Sequence, residues 1–300
     1  MPPGRVKVEL VTTSVAPPPG NVQHLFTTDL RGQSVNRVDG RDSFLRAFAA
    51  ADKIGAMARF DPAQPLVHPL PDPERVEVRP DLVYTHAGGR ALAMDLYLPR
   101  PRAAGTRVPA VLLVHGEADP ELLLGVRGWG QYTGWGRLLA GQGLAGVAFE
   151  HRAILDAGFG PVVAEVNQAL AAVGERAADL GIDPERVGVA AFSAGVPLTA
   201  AVLAGAAERV RCAALCYGPL SDLAPDPALP PLLVVRAGRD DPGLNRTIDD
   251  FVAAAEQRGL PVELVHQPDG GHGFDVADDS DPSREVIERV VAFLRGHLGT

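Results

Sequence analysis

A buried strand is expected to run directly into a helix at Val187-Gly188-Val189-Ala190-Ala191-Phe192-Ser193-Ala194-Gly195. The apolar residues before Ser193 are typical of a strand that is covered on both faces. Ala191 and Gly195 flank the serine two residues away on either side, and only such small residues allow the strand and the helix to approach closely. The turn raises the hydroxyl above the sheet edge and places it at the helix N-terminus, where the amide of Ala194 can stabilise negative charge. A serine at such a turn either acts as a nucleophile or caps the helix of an ordinary doubly wound fold.

On both sides of this segment, short apolar runs alternate with helical patterns from about residue 74 to the C-terminus. The runs predict strands at 75–85, 90–98, 110–114, 143–149, 187–192, 212–217, 232–237 and 262–266. Helical spacing predicts helices at 161–180, 196–207, 248–259 and 282–298, with a short one at 137–140. This alternation predicts an α/β fold with a mostly parallel central sheet flanked by helices.

Two further polar residues follow the ends of later strands. Asp240 comes after the run 232–237, 47 residues beyond Ser193, and His272 follows the run 262–266 within Gly270-Gly271-His272-Gly273. The carboxyl ends of parallel strands meet at one edge of the sheet, which is where ligands bind in open α/β folds. We therefore expect the serine, the acid and the histidine to meet there.

This combination resembles the α/β-hydrolase superfamily over roughly residues 75–300, although Ala191 stands where the superfamily pattern G-x-S-x-G has its first glycine. The resemblance implies that Ser193 is the nucleophile, His272 the general base and Asp240 the acid that orients the histidine. Asp240 is preferred to the adjacent Asp241 because similar turns carry the acid second after a glycine. Asp222 is the next candidate.

The oxyanion hole needs two backbone donors. His115-Gly116 ends the strand 110–114 in the way that such hydrolases precede their oxyanion loop. The amide of Glu117 is therefore expected to act together with the amide of Ala194. The Glu117 side chain either points to solvent or selects a feature of the substrate.

Aromatic residues cluster between 129 and 135 in a chain that is only 5% aromatic. Trp129, Tyr132 and Trp135, together with Phe274, are predicted to line the substrate pocket. The alternative for Trp135 is an anchoring role in the core beneath the following helix. His151, after the strand 143–149, is predicted to lie at the pocket rim.

Before the sheet, residues 1–73 form a predicted N-terminal extension, and residues 74–300 form the predicted hydrolase domain. The extension carries one amphipathic helical pattern, Asp42 to Arg59. This helix either covers the pocket mouth as a lid or packs elsewhere, for instance as the arm of a homodimer. Only 14 residues separate Tyr217 from Leu232, too few for a large inserted cap.

Composition excludes several classes of protein. The net charge of -9 argues against nucleic acid and anionic membranes as partners. The chain has no phosphate-binding glycine motif, and its histidines lack metal-ligand spacing, so no cofactor and no metal are expected. The lack of a long apolar stretch or a secretory signal pattern predicts a cytoplasmic protein.

The resemblance is strongest to bacterial carboxylesterases and to dienelactone hydrolase-like serine hydrolases. It implies a serine esterase that cleaves small carboxylic esters through an acyl-enzyme. The alternatives are a lactone or dienelactone hydrolase, which is expected to carry cysteine at position 193, and a peptidase, which usually has a larger N-terminal domain. A non-catalytic hydrolase-fold protein that binds a ligand or mediates dimerisation is the alternative of another class.

Overall fold

The computed structural model describes residues 61–103 and 105–300, together with a pair of two-residue antiparallel strands, Thr27–Thr28 and Ser34–Val35. The chain divides into two compact units, residues 1–39 and residues 40–300. The predicted helix from Asp42 to Arg59, with its lid or dimer role, lies outside the described residues.

The larger unit is built around an eight-stranded sheet. Its strands are β1 (Val76–Ala87), β2 (Arg90–Pro99), β3 (Val108–Val114), β4 (Ala145–Phe149), β5 (Ile182–Phe192), β6 (Ala213–Cys216), β7 (Leu232–Ala237) and β8 (Val262–Gln267). The strand order is β8-β7-β6-β5-β3-β4-β2-β1. Strand β2 pairs antiparallel with both β1 and β4, and the remaining pairs are parallel. The predicted α/β-hydrolase fold, a mostly parallel sheet, is thereby confirmed.

Helices cover both faces of the sheet. They are α1 (Pro120–Leu123), α2 (Gly130–Gly141), α3 (Ile154–Ala157), α4 (Phe159–Glu175), α5 (Ala177–Leu180), α6 (Gly195–Ala206), α7 (Pro242–Gln257), α8 (Phe274–Ala277) and α9 (Asp281–Leu298). Short 3₁₀ turns occupy Pro73–Arg75, Val126–Gly128 and Ala207–Arg209. Among the described residues, no helix is long and apolar enough to cross a membrane.

The core consists of two apolar layers, one on each face of the sheet. Side chains from α4, α6 and α7 pack with Leu112 of β3 in one layer. Side chains from α2 and α9 pack with Val111 and Leu113 of the same strand in the other layer. Successive residues of a strand point to opposite faces, so a strand covered on both faces must be apolar throughout. This requirement explains the continuous apolar runs in the sequence.

Three predicted helices have different ends in the structure. The pattern at 161–180 is divided into α4 and α5, and the short helix predicted at 137–140 is part of the longer α2. The helix predicted from 248 begins at Pro242 instead, because the Asp241 carboxylate accepts the N–H groups of Gly243 and Leu244 and so caps its first turn.

The described end of the predicted N-terminal extension packs on the sheet domain. Leu66 is only 4% exposed and belongs to the layer beneath α2. The carbonyl of Pro62 accepts the N–H of Gly130, and the N–H of Val67 donates to the carbonyl of Asp275, each at 2.8 Å. Residues 62–67 are therefore part of the same packed unit as the sheet.

Candidate active site

Ser193 lies on a sharp turn between β5 and α6. Its φ of +54° is in the left-handed region, where a residue with a side chain is strained. Neighbouring glycines explain why the turn can form. A side chain at Gly195 would bring its Cβ within 2.4 Å of the Val114 carbonyl oxygen, and one at Gly116 would lie 3.0 Å from the Ser193 Cβ. The small residues in the sequence pattern therefore serve close packing of β3, β5 and α6.

The structure brings Ser193, His272 and Asp240 together in one hydrogen-bonded series. The Asp240 Oδ2 atom lies 2.7 Å from His272 Nδ1, and the Ser193 Oγ atom lies 2.7 Å from His272 Nε2. Because a carboxylate only accepts, Nδ1 carries the ring proton, which leaves Nε2 to accept from the serine hydroxyl. The Asp240 side chain is 7% exposed and the His272 side chain 41% exposed.

The turns that carry the acid and the histidine are bound to each other. The Gly238 N–H donates to the Gln267 carbonyl at 2.8 Å, and the Arg239 N–H donates to the Gly270 carbonyl at 2.9 Å. A Cβ at Gly238 would lie 2.1 Å from the Pro268 carbonyl oxygen. These backbone contacts hold the two turns at a fixed distance.

The two other acids considered from the sequence lie elsewhere. The Asp241 carboxylate caps α7, as described above. Asp222 is exposed in the segment between β6 and β7. Neither of these carboxylates contacts His272, whose acidic partner is Asp240.

The Glu117 side chain does not point to solvent, which was one of its two expected orientations. Glu117 is only 5% exposed, and its carboxylate accepts the N–H groups of Ile154 at 2.8 Å and Leu155 at 3.3 Å. Burial raises the pKa of this carboxyl to about 7. Glu117 thus connects the loop after β3 to the start of α3.

A buried histidine pair orients the peptide between Gly116 and Glu117. The rings of His115 and His151 stack with their centroids 3.5 Å apart, and the backbone N–H of His151 donates to His115 Nε2 at 3.1 Å. The other ring nitrogen of His115, Nδ1, donates to the Gly116 carbonyl at 2.7 Å. In a trans peptide the C=O and N–H point in opposite directions, so this contact also fixes the direction of the Glu117 N–H.

Burial also determines the charge of this pair. It lowers the pKa of both imidazoles, so the two stacked rings are neutral. The prediction of His151 at the pocket rim is wrong, because this residue is fully buried against His115.

The four aromatic side chains predicted to line the pocket are core residues. Trp129 is 8% exposed, Tyr132 4%, Trp135 1% and Phe274 2%. Helix α2 begins at Gly130, so residues spaced by three lie along its inner face, towards the sheet. Tyr132 still contacts the loop after β3, because its hydroxyl accepts the Gly116 N–H at 3.3 Å. The anchoring alternative for Trp135 is the one that the structure favours.

Sequence reasoning missed Asp275, a carboxylate that is 1% exposed. It accepts hydrogen bonds from the Tyr217 hydroxyl at 2.7 Å and from Gln131 Nε2 and Trp135 Nε1 at 2.9 Å each. A possible signal was a lone acid between the apolar residues Phe274 and Val276, three positions after His272.

Within the described ranges, no group of three or more His, Cys, Asp or Glu side chains is arranged to hold a metal ion. The site instead combines a strained serine, a histidine that can accept its proton and a carboxylate behind the histidine. The backbone amide of Ala194 directly follows the serine at the start of α6, and Gly116 in the loop after β3 packs against the serine side chain. Groups arranged in this way can support attack of the serine hydroxyl oxygen on a carbonyl carbon.

Comparison with known proteins gives matches to esterases. The BD-FAE family model matches residues 94–215. The probable isoprenylcysteine alpha-carbonyl methylesterase ICMEL1 of Oryza sativa subsp. japonica is 34% identical over 110 residues, which cover 37% of this chain and 24% of that protein. The matched region thus spans about a quarter of the length of that curated relative.

Solved structures match over more of the chain. Thermogutta terrifontis esterase 2 phosphorylated by paraoxon has a TM-score of 0.59 and 21% identity, with 75% of this chain and 95% of that chain covered. A structure from a study of two fungal esterases from Rhizomucor miehei has a TM-score of 0.60 and 19% identity, with 88% and 92% covered. At this level of identity, the similarity concerns the fold.

Proposed function

From the α/β-hydrolase fold of this chain and the geometry of its site, we propose that it is a serine hydrolase that cleaves small carboxylic esters. The observation that carries the proposal is the hydrogen-bonded series Ser193–His272–Asp240, with 2.7 Å at each contact. The similarity to a methylesterase and to esterase structures supports the ester as the substrate class.

Acylation begins when Ser193 Oγ attacks the ester carbonyl carbon and His272 Nε2 takes the hydroxyl proton. The carbonyl π electrons move to the oxygen, which the N–H groups of Ala194 and Glu117 stabilise. Each such donor is worth about 3 kcal/mol of barrier. The tetrahedral intermediate then collapses, the alcohol leaves with the proton from His272, and the acyl group stays on the serine.

Deacylation repeats these steps with water as the nucleophile. His272 takes a proton from water, the hydroxide attacks the acyl carbon, and the serine oxygen leaves with the proton that the histidine returns. Asp240 keeps the histidine in the tautomer that both steps need and stabilises the imidazolium. Ester and water thereby give acid and alcohol.

The test is turnover of a panel of p-nitrophenyl and alkyl esters, lactones, thioesters and amides by the wild-type protein and by Ser193→Ala. We expect ester hydrolysis by the wild type and a loss on the order of 10⁶ in kcat for the variant. Circular dichroism and the melting temperature check that the variant is folded. A folded Ser193→Ala protein that keeps more than a few per cent of the turnover contradicts the assignment.

A fluorophosphonate probe separates this proposal from a non-catalytic role. An activated serine attacks phosphorus, a P–O bond forms and fluoride leaves, so the wild type becomes covalently labelled at Ser193. A ligand-binding or dimerisation protein stays unlabelled. If lactones or amides are cleaved faster than every ester, the proposed substrate class is wrong while the serine mechanism stands.

A further inference from the structure

The Asp275 carboxylate is buried without a cationic partner among the described residues. Its three hydrogen bonds all come from neutral groups, namely Tyr217, Gln131 and Trp135. Other titratable groups near it are the buried Cys216 and Tyr132, which are neutral as well. Burying a charge is costly, and replacing a buried charged network by apolar residues often leaves stability unchanged or raises it. Stability alone therefore does not account for this network.

The network lies directly behind the reacting histidine. Asp275 is on α8, which begins at Phe274, two residues after His272. Tyr217 directly follows β6, and the preceding residue, Cys216, accepts the N–H of Ser193 at 3.0 Å. One carboxylate therefore joins the segment that carries the histidine to the segment that supports the serine.

The tyrosine ring makes the connection to His272. Its centroid lies 5.2 Å from the imidazole centroid at an interplanar angle of 68°, which is an edge-to-face contact. The same ring contacts Phe274 at 5.7 Å. Burial and the Asp275 carboxylate raise the pKa of Tyr217, so its hydroxyl stays protonated and donates.

From this geometry we infer that Asp275 is a positioning residue for His272, acting through the ring of Tyr217. The inference rests on the proposed serine hydrolase function. Hydrogen bonds to a carboxylate are roughly twice as strong as neutral ones, so the charge holds the phenol in one place. The ring in turn limits the tilt of the half-exposed imidazole, which has to face the serine in one step and the leaving group in the next.

Three variants test the link: Asp275→Asn, Tyr217→Phe and the double variant. Asparagine keeps the shape and can accept from Gln131 and Trp135, but it leaves the Tyr217 hydroxyl proton without its acceptor. We expect each single variant to lose about 10- to 100-fold in kcat, with KM within about twofold, because a small misplacement of a reacting group is costly. Since both act through one contact, the double variant should be no worse than the worse single variant.

A matched control separates positioning from stability. Glu165 is also a buried carboxylate, 2% exposed, but it is paired with Arg152 at 2.6 Å on the other face of the sheet. Glu165→Gln should lower the melting temperature while kcat per labelled active site stays at the wild-type value. Asp275→Asn should lower kcat per labelled site and slow the rate constant of fluorophosphonate labelling in parallel.

The labelling rate keeps this test independent of the ester assignment. The positioning role is overturned if Asp275→Asn keeps the wild-type kcat and the wild-type labelling rate, whatever its melting temperature. Additive losses of kcat in the double variant overturn it as well. If no ester is hydrolysed but the probe labels the wild type faster than Asp275→Asn, the ester assignment fails and the positioning role stands. A wild-type protein that the probe does not label overturns both.

Discussion

The Glu117 carboxylate accepts the N–H of Ile154 at 2.8 Å, and this contact joins the loop that carries the proposed oxyanion donor to helix α3. The two residues are 37 positions apart in the chain. The carboxylate is buried and has two backbone donors, which do not replace the water that it loses. Its protonation therefore depends on the folded state.

This burial predicts a pH dependence of stability. The pKa of Glu117 rises from 4.5 to about 7 on folding, so the folded state holds the proton more tightly than the unfolded chain. The stabilisation that the bound proton gives the folded state is complete below pH 4.5 and is lost as the pH rises through 7. The free energy of unfolding falls by on the order of 3 kcal/mol over this range.

The measurement compares the urea-unfolding free energies of the wild type and Glu117→Gln between pH 5 and pH 8. Glutamine cannot ionise, so the wild type should lose stability relative to the variant across this range. A difference that is constant with pH contradicts the ionisation of a buried Glu117. Profiles of kcat over the same range show how far the ionisation reaches the oxyanion loop.

Adjacent aspartates should have separate effects. The Asp240 carboxylate contacts His272 Nδ1, so Asp240→Asn should lower kcat about 10⁴-fold through the wrong histidine tautomer. The Asp241 carboxylate caps α7, so Asp241→Asn should leave kcat and stability nearly unchanged, whereas Asp241→Ala should cost about 1 kcal/mol of stability. Steady-state kinetics and chemical denaturation of the three variants give both quantities. Reversed effects on kcat would assign the acid to Asp241.

Much of the fold could be predicted from the sequence because parallel strands covered on both faces leave continuous apolar runs. The order of Ser193, Asp240 and His272 was equally visible, since each follows a strand. Helix α2 was missed at its start because its glycines hide the helical pattern. These glycines are needed for close packing: a Cβ at Gly136 would lie 2.4 Å from the Tyr97 ring, and one at Gly134 would lie 2.6 Å from Leu66.

The environment of the site was less accessible to sequence reasoning. Gln131 and Asp275 are 144 positions apart, and nothing local indicates that they share a hydrogen bond. The direction of the Glu117 side chain likewise depends on where α3 packs. Tyr132 and Trp135 were assigned to the pocket on composition, but the period of α2 turns both side chains into the core. Such contacts depend on tertiary packing, which a local pattern does not encode.

The His115 contact predicts an effect on the rate without an effect on binding. His115→Phe keeps an aromatic ring for the stack with His151, but it removes the donor to the Gly116 carbonyl and the acceptor of the His151 backbone N–H. The peptide that carries the Glu117 N–H then loses its fixed direction. We expect kcat to fall by up to about 10²-fold, the cost of one oxyanion donor, with KM nearly unchanged.

A transition-state analogue checks the origin of this loss. A trifluoromethyl ketone forms a tetrahedral adduct with the serine, and its inhibition constant should rise in His115→Phe by the same factor as kcat/KM falls. Binding of the carboxylic acid product should change little. If the ketone and the carboxylic acid both bind more weakly by the same factor, the substitution has disrupted the whole site rather than one hydrogen-bond donor.

Packing of residues 62–67 on the body predicts that Leu66 contributes to global stability. Its side chain is buried against α2, so Leu66→Ala should lower the unfolding free energy by about 2–5 kcal/mol through lost burial and a cavity. Leu70→Ala is the matched control, because Leu70 is 40% exposed and its truncation should cost below about 0.5 kcal/mol. Urea denaturation followed by tryptophan fluorescence measures both. Equal, small effects would mean that this segment adds nothing to the stability of the sheet domain and that residue 73 is its functional boundary.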